Sequence, residues 1–228
     1  MNSALPRLLL ALAYPWLAHA ASTRGSNALA IVALADLALV ILLDPLLRLR
    51  SWAWIGALLV ALGLAGLALS AHALLPLLLV PVAVLAFIAW MFGRTLRAGR
   101  VPLISRIVAA LEDKPATQLA PELQRYTRRL TAAWAGLLGT LALVNLLLAL
   151  VAVPRGLLAS IGIAAPWVVT ETQWSWCANL LNYGLVVGFF VGEYLFRKRV
   201  FPGRYRNFID FLRRMGSLGP GFWATLLR

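Results

Sequence analysis

Two carboxylates lie inside long apolar stretches of the sequence, where ionisable side chains are rare. Asp36 lies near the middle of one stretch, and Glu193 lies four residues before Arg197 near the end of another. A charged group at membrane depth is costly, so it usually faces the interior of a helix bundle and often serves a function. Asp36 and Glu193 are therefore the candidate acid–base groups. The spacing of Glu193 and Arg197 favours a local ion pair on one helix face, and Arg128 or Arg129 at the start of the fifth span is an alternative partner.

Two amides occupy comparable positions in the last two apolar stretches. Asn145 and Asn182 lie at similar distances from the basic clusters that flank these stretches. Because polar side chains in membrane helices bond to one another, we expect the two amides to hydrogen-bond across a helix pair. Together with Asp36, they either hold helices together or line a ligand cavity. All three are therefore candidate ligand-binding residues.

Three glycines in the last apolar stretch recur at every fourth position, namely Gly184, Gly188 and Gly192. This spacing places them on one helix face, where the missing side chains let a second helix approach closely. We expect this face to serve helix packing, either within the chain or against a second copy. The sequence is thus compatible with a homo-oligomer.

Motifs of soluble enzymes are missing from the sequence. There is no G-x-x-x-x-G-K-[ST] phosphate loop and no G-x-S-x-G nucleophile motif. The one cysteine, Cys177, has no histidine close in sequence, which argues against a thiol nucleophile. His19, His72 and Glu171 lack the spacing of a metal site. We expect no metal and no cofactor.

The elements that must position these residues are membrane helices. The chain is 62% hydrophobic and 13% charged, whereas soluble domains carry about a quarter charged residues. A helix needs about 20 apolar residues to cross the hydrocarbon. We predict an all-α, single-domain bundle over 1–228 with six transmembrane helices, at 5–20, 27–47, 52–70, 74–92, 130–153 and 174–196. The first segment, which ends at the triplet Ala18-His19-Ala20, can also be read as a cleaved secretory signal.

The basic residues predict the orientation of the bundle. Six spans place all of the 21 basic residues except Arg24 and Arg155 on one side, mainly in the loop 94–129 and the tail 197–228. By the positive-inside rule this side is the cytoplasm, with both termini, and the chain is a multi-pass protein of the bacterial inner membrane. A seventh span in 156–170 would break the pattern. That segment is expected to extend the preceding helix or to lie at the outer interface.

Two basic segments on the predicted cytoplasmic side, 102–111 and 204–215, have apolar residues at helical spacing. We expect amphipathic helices that lie among lipid headgroups or cap the bundle. The net charge of +13 matches anionic headgroups rather than nucleic acid. The basic surface can also dock an acidic partner such as an acyl carrier protein. Arg125, Arg128 and Arg129 are candidates for binding a phosphate or a carrier's prosthetic group.

Several motifs of the chain together resemble one protein family. They are Leu12-Ala13-Tyr14-Pro15, Pro102-Leu103-Ile104-Ser105-Arg106, Arg125-Tyr126-Thr127-Arg128-Arg129 with Thr131 and Trp134, and Asn182-Tyr183 followed by Gly192-Glu193-Tyr194-Leu195-Phe196-Arg197. Up to about Phe201, the chain resembles small bacterial inner-membrane proteins encoded beside aryl-polyene and xanthomonadin-type pigment genes. The resemblance implies a pathway that makes polyene acyl chains on carrier proteins and attaches them to a lipid. Some members carry the label ketosynthase, but no cysteine nucleophile with basic partners supports that chemistry here.

The leading hypothesis is a non-catalytic membrane component of a lipid-linked polyene pathway of pigment biosynthesis or export. It would bind an apolar acyl chain and recruit pathway enzymes through the loop 94–129 and the tail 197–228. One alternative is a membrane-embedded acyl or lipid transferase at the cytoplasmic interface, with Glu193 or Asp36 as the acid–base group. A second is a proton-coupled transporter subunit that uses Asp36 as its proton site.

Overall fold

The computed structural model describes residues 4–70, 72–154, 156–165, 167–200 and Gly216. This part of the chain is helical almost throughout, which confirms the predicted all-α class. The helices are α1 (Ala4–Arg24), α2 (Asn27–Leu47), α3 (Ser51–Ala68), α4 (Leu75–Arg94), α5 (Leu103–Leu111), α6 (Pro121–Val151), α7 (Leu157–Ser160), α8 (Glu171–Trp176) and α9 (Asn182–Val200). A 3₁₀ turn, Ala116–Gln118, precedes α6, and a π-helical segment, Cys177–Leu181, joins α8 to α9. Two short strands, β1 (Ala152–Val153) and β2 (Val169–Thr170), pair in parallel.

Four of these helices, α2, α3, α4 and α6, are long and apolar enough to cross a membrane. On α3, large apolar side chains such as Ile55, Leu58 and Leu62 are exposed, as expected of a surface that faces lipid. These helices indicate a membrane protein. The first and last predicted spans also fall on helices, namely α1 and the run from α8 to α9. The six-span topology stays a prediction.

The segment 156–170, which follows α6, does not adopt one of the two arrangements expected for it. Residues 156–170 do not extend α6, because the helix ends at Val151 and is followed by β1, the four-residue α7 and β2. Pro154 explains the end, since proline lacks a backbone N–H and disfavours helix in the residues before it. Gly156 follows in a tight turn where a β-carbon would overlap the backbone of Ala152. The expectation of a helical extension was therefore wrong.

The chain divides into two compact units. Unit 1 comprises Met1–Val82 and Val144–Tyr183, and unit 2 comprises Ala83–Leu143 and Gly184–Arg228. Helices α4 and α6 each contribute a segment to both units. The prediction of one transmembrane domain stays a prediction. The predicted helix 204–215, Arg155 and the tail after residue 200, apart from Gly216, lie outside the described residues.

A helical hairpin of α1 and α2 forms the start of unit 1. Gly25 turns the chain with a φ of 60°, a value that only glycine adopts readily. Ser26 then caps α2, because its hydroxyl accepts a hydrogen bond from the Leu29 amide at 3.3 Å. The contact is lined by small, buried side chains, including Ala18, Ala21, Ala30 and Ala33. These let the two helix backbones approach closely.

In unit 2, the amphipathic helix α5 packs against the start of α6. Ser105 and Thr127 join the two helices through hydroxyl groups 2.6 Å apart, and both side chains are buried. The Thr131 hydroxyl accepts a second hydrogen bond, from the Ile104 amide at 3.3 Å. Apolar contacts complete the interface, with Val108, Ala109, Leu119 and Leu123 in one cluster. The predicted helix over 102–111 is thus confirmed, and its apolar face packs on α6.

Candidate functional site

A cavity of about 330 Å³ lies in unit 2, and we call it the α5 cavity because α5 forms one of its walls. Side chains from four helices line it, among them Phe92 of α4, Ile107 and Leu111 of α5, Trp134 of α6, and Val186 and Phe190 of α9. Every lining side chain except Glu193 and Arg197 is aliphatic or aromatic. The volume falls within the range of about 300–1,000 Å³ that is typical of small-molecule sites.

The polar side chains of the α5 cavity lie at one end of it. Along α9 the lining residues run from Val186 to Arg197, a distance of about 16 Å at the helical rise of about 1.5 Å per residue. Glu193 and Arg197 occupy the last part of this run. The cavity is therefore apolar along most of its length and charged only at the end near the C-terminus of α9.

Glu193 and Arg197 form a buried ion pair that a tyrosine completes. The Arg197 Nε lies 3.2 Å from the Glu193 Oε1, and the two side chains are only 10% and 8% exposed respectively. Tyr126 of α6 donates its hydroxyl to the same carboxylate oxygen at 3.0 Å. Its ring stacks on Phe196 with a centroid distance of 6.2 Å. Since buried charges must be paired to be tolerated, these contacts explain how a carboxylate persists here. The predicted local ion pair is confirmed.

Aromatic contacts hold Trp134 in the wall of the cavity. Its ring meets Phe189 edge to face, with centroids 4.7 Å apart and planes at 86°. It also lies 6.1 Å from the ring of Phe92. Edge-to-face geometry matches the charge distribution of aromatic rings. Trp134 is thus held by neighbours on α4 and α9 and presents a fixed surface to the cavity.

A second space in unit 2, about 500 Å³ in volume, lies along α6 and α9, and we call it the α6–α9 groove. It is lined by residues that include Tyr126, Arg129, Ala133, Phe189 and Gly192. Glu193 and Leu130 line both the groove and the α5 cavity.

The three candidate arginines of α6 are not gathered at one point. Arg128 donates from Nη2 to the Leu96 carbonyl oxygen at 2.9 Å and so ties α6 to the turn that follows α4. Arg129 lines the α6–α9 groove, and Arg125 is exposed one turn before it. Arg128 therefore has a structural contact, whereas Arg125 and Arg129 have no hydrogen-bond or ion-pair partner among the described residues.

The other predicted polar residues lie in unit 1. Asn145 and Asn182 form a reciprocal pair in which each Nδ2 donates to the other's Oδ1 at 3.1 Å, which confirms the expected hydrogen bond. Asn182 directly follows the π-helical segment and also donates to the Ala178 carbonyl oxygen at 3.0 Å. Asp36 is buried on α2, and its Oδ2 has no hydrogen-bond partner within the described residues.

The glycine face of α9 is open. A β-carbon at Gly184, Gly188 or Gly192 would meet no atom within 4 Å in the described part of the chain. The structure therefore shows no close helix contact at these glycines within unit 2, and Gly192 instead lines the α6–α9 groove. Helix packing by this face stays a prediction.

Sequence reasoning missed three features of the sites. It named Tyr126 and Trp134 only within a family motif, and it did not foresee that the Ser175 hydroxyl lies 2.8 Å from the His19 Nδ1 in unit 1. Tyr126 and Glu193 are 67 residues apart, so their contact depends on the register between α6 and α9. The spacing of residues that are close in sequence does not determine this register.

The α5 cavity suits an amphiphilic molecule. Its apolar length can hold a hydrocarbon chain, while Glu193 offers acceptor oxygens and Arg197 offers donors to a polar end group. Among the described residues, no three His, Cys, Asp or Glu side chains are grouped as metal ligands would be. The chain matches no protein-family model, no curated protein and no solved structure.

Proposed function

We propose that the chain is a non-catalytic, multi-pass component of the bacterial inner membrane that binds an apolar acyl chain in the α5 cavity. The observation that carries this proposal is the lining of the cavity, which is apolar except for Glu193 and Arg197 at one end. An acyl chain can lie along the apolar walls while its polar end group meets the ion pair. The protein would hold such a chain on its way through a lipid-linked polyene pathway.

The aromatic side chains of the cavity support a flat, conjugated ligand. Because the bilayer is itself apolar, a chain that enters from it gains little from hydrophobic burial, and packing must supply the selectivity. Phe92, Trp134 and Phe190 offer ring surfaces for such packing. A rigid polyene also loses less conformational freedom on binding than a saturated chain does. These arguments agree with the pigment pathway that the family resemblance implies.

The position of α5 supports the recruitment of acidic cytoplasmic partners. This helix lies within the basic loop 94–129 and forms one wall of the cavity. Arg97 and Arg100 are exposed in the same loop. An acidic acyl carrier protein bound to this loop would therefore lie beside the chain in the cavity. The positive-inside rule places the loop, the tail 197–228 and both termini in the cytoplasm.

Energy transfer from Trp134 to trans-parinaric acid, a fluorescent tetraene fatty acid, tests the proposal. The protein has nine tryptophans, so the signal of Trp134 is taken as the difference between the wild type and W134F. We expect this difference signal to rise and saturate as the tetraene is added, because Trp134 lines the cavity. A saturated fatty acid of equal length should displace the tetraene only weakly.

Two neighbouring valines of α9 provide a matched pair of variants. Val186 lines the α5 cavity, whereas Val187 is 58% exposed and does not. V186F places a ring in the cavity and should weaken parinarate binding at least tenfold, while V187F should leave it unchanged. Equal binding by the two variants would refute the proposed site.

One observation favours a second candidate, a membrane-embedded acyl or lipid transferase. Glu193 lines both the α5 cavity and the α6–α9 groove, so one carboxylate contacts two ligand spaces and can act as an acid–base group between them. In cells that make the pigment lipid, E193Q leaves the buried Arg197 without its carboxylate, so the protein level and parinarate binding are measured beside pigment synthesis. Loss of the pigment lipid at unchanged protein level and parinarate binding would favour the transferase, and its continued synthesis would favour chain holding.

A further inference from the structure

The mouth of the α6–α9 groove carries positive charge that no carboxylate among the described residues neutralises. Arg129 lines the groove, and Arg125 is exposed one helical turn before it. Neither arginine has a carboxylate partner in the part of the chain that the structure describes. Glu193 also lines the groove, but its carboxylate is already paired with Arg197 and bonded to Tyr126. The charge at this mouth therefore favours an anionic ligand.

The floor of the groove is apolar and begins about one helical turn away from the charge. Ala133 lies four residues after Arg129 on α6, a distance of about 6 Å along the axis. Phe189 and Gly192 of α9 lie on the opposite side. Among the described residues, no atom lies within 4 Å of the position that a β-carbon of Gly192 would occupy. The groove is therefore open at Gly192, and a larger residue there would fill it.

We propose that the α6–α9 groove is a binding site for an anionic phospholipid, with the phosphate at Arg129 and Arg125 and one acyl chain along Ala133, Phe189 and Gly192. Guanidinium groups suit this role because they bind phosphate oxygens through two parallel hydrogen bonds. The site is separate from the α5 cavity, with which it shares only Leu130 and Glu193. It goes beyond the proposed function, because an anionic lipid can bind here whether or not the cavity holds a polyene.

Charge also favours a lipid over a second copy of the chain or a soluble phosphate. A second copy would bring its own net charge of +13 to an already basic mouth, and like charges repel. A soluble phosphate would satisfy the arginines but leave the apolar floor empty. An anionic phospholipid matches both parts of the groove.

Native mass spectrometry of the delipidated full-length protein, incubated with phosphatidylglycerol or with phosphatidylcholine, tests the site. We expect phosphatidylglycerol to be retained preferentially by the wild type. R129Q should lower its retention about fivefold, the size expected for one basic residue at an anionic lipid. The matched control is R100Q, which removes the same charge from an exposed position that does not line the groove.

A second pair of variants tests the apolar floor. G192L should fill the groove and reduce the retention of phosphatidylglycerol, whereas G188L should not. Both glycines lie on α9 with open space around them, and only Gly192 lines the groove. Because Arg129 is exposed on the surface, R129Q keeps the test valid even if G192L does not fold.

Three outcomes would overturn the proposal. They are equal retention by R129Q and R100Q, competition by inorganic phosphate as strong as that by the lipid, and a protein dimer that G192L abolishes. Parinarate binding near Trp134 is measured on the same variants, so failure of the groove site and failure of the cavity site are distinguishable.

Discussion

The two units each contain a buried polar cluster, and the clusters differ in what surrounds them. In unit 1, Asn145 and Asn182 satisfy each other through reciprocal hydrogen bonds, and both are buried. In unit 2, Glu193 and Arg197 form an ion pair at the end of an apolar cavity. The first cluster is neutral, and its amides bond to each other and, from Asn182, to the Ala178 carbonyl oxygen. The second is charged and lines spaces of about 330 and 500 Å³.

This difference separates a structural use of polar groups from a use in binding. An amide pair closed on itself joins helices without offering atoms to a ligand. An ion pair at a cavity keeps further oxygen and nitrogen atoms in reach of a bound molecule. Polar residues at membrane depth are thus not equivalent. Substitutions that remove one partner of each cluster at a time test this difference.

The largest effect is expected when Arg197 is removed from the buried ion pair. R197Q leaves the Glu193 carboxylate without its guanidinium, and an uncompensated buried charge costs about 3–5 kcal/mol of stability. Unfolding of the purified protein in mixed detergent micelles measures this loss. The double variant E193Q/R197Q should recover part of it, because it removes both charges.

The control for that effect is a second ion pair with the same spacing. Arg48 Nε lies 2.9 Å from Asp44 Oδ2, and the Arg48 side chain is 64% exposed. R48Q should therefore cost only about 0.3–0.5 kcal/mol, as for exposed helix pairs. If R197Q destabilises the protein no more than R48Q does, the pair in unit 2 is not buried as described, and the contrast between the clusters fails.

Much of the fold and part of the sites could be predicted from the sequence, because they depend on local patterns. Long apolar stretches predicted the helices, and spacing along one helix predicted the pair Glu193–Arg197. The contact of Asn145 with Asn182 also followed, because both residues lie at similar distances from flanking basic clusters. In each case the prediction used either the spacing of residues within one helix or the depth of a residue in the membrane.

The α5 cavity could not be predicted, because it depends on contacts between helices. Its wall exists because α5 docks on α6 through the Ser105–Thr127 pair and an apolar cluster. The contact of Tyr126 with Glu193 requires the register between α6 and α9. A helical extension over 156–170 was wrongly expected for a different reason, since this uncharged segment resembles a continuing helix in composition alone.

A smaller effect is expected when the amide pair in unit 1 is broken. N145L leaves Asn182 without its reciprocal partner, although Asn182 still donates to the Ala178 carbonyl oxygen. Hydrogen bonds between membrane helices contribute about 0.6 kcal/mol on average and at most about 1.7 kcal/mol, so N145L should lower the stability by an amount in that range. A double-mutant cycle with N182L measures the coupling. Unchanged binding of trans-parinaric acid is expected, and a large loss of binding would show that the amides also serve a ligand.

A comparably small effect is expected at the hydrogen bond that holds α5 against α6. S105A removes the hydroxyl that lies 2.6 Å from the Thr127 Oγ1, while Thr127 still donates to the Leu123 carbonyl oxygen at 2.9 Å. Because Thr127 keeps a partner, the loss should be about 0.5–1.5 kcal/mol. Hydrogen exchange should become faster in α5 and stay unchanged in α2, which lies in unit 1. Since α5 forms a wall of the cavity, parinarate should bind S105A more weakly than wild type. Faster exchange in α5 without any change in binding would mean that this wall does not contact the ligand.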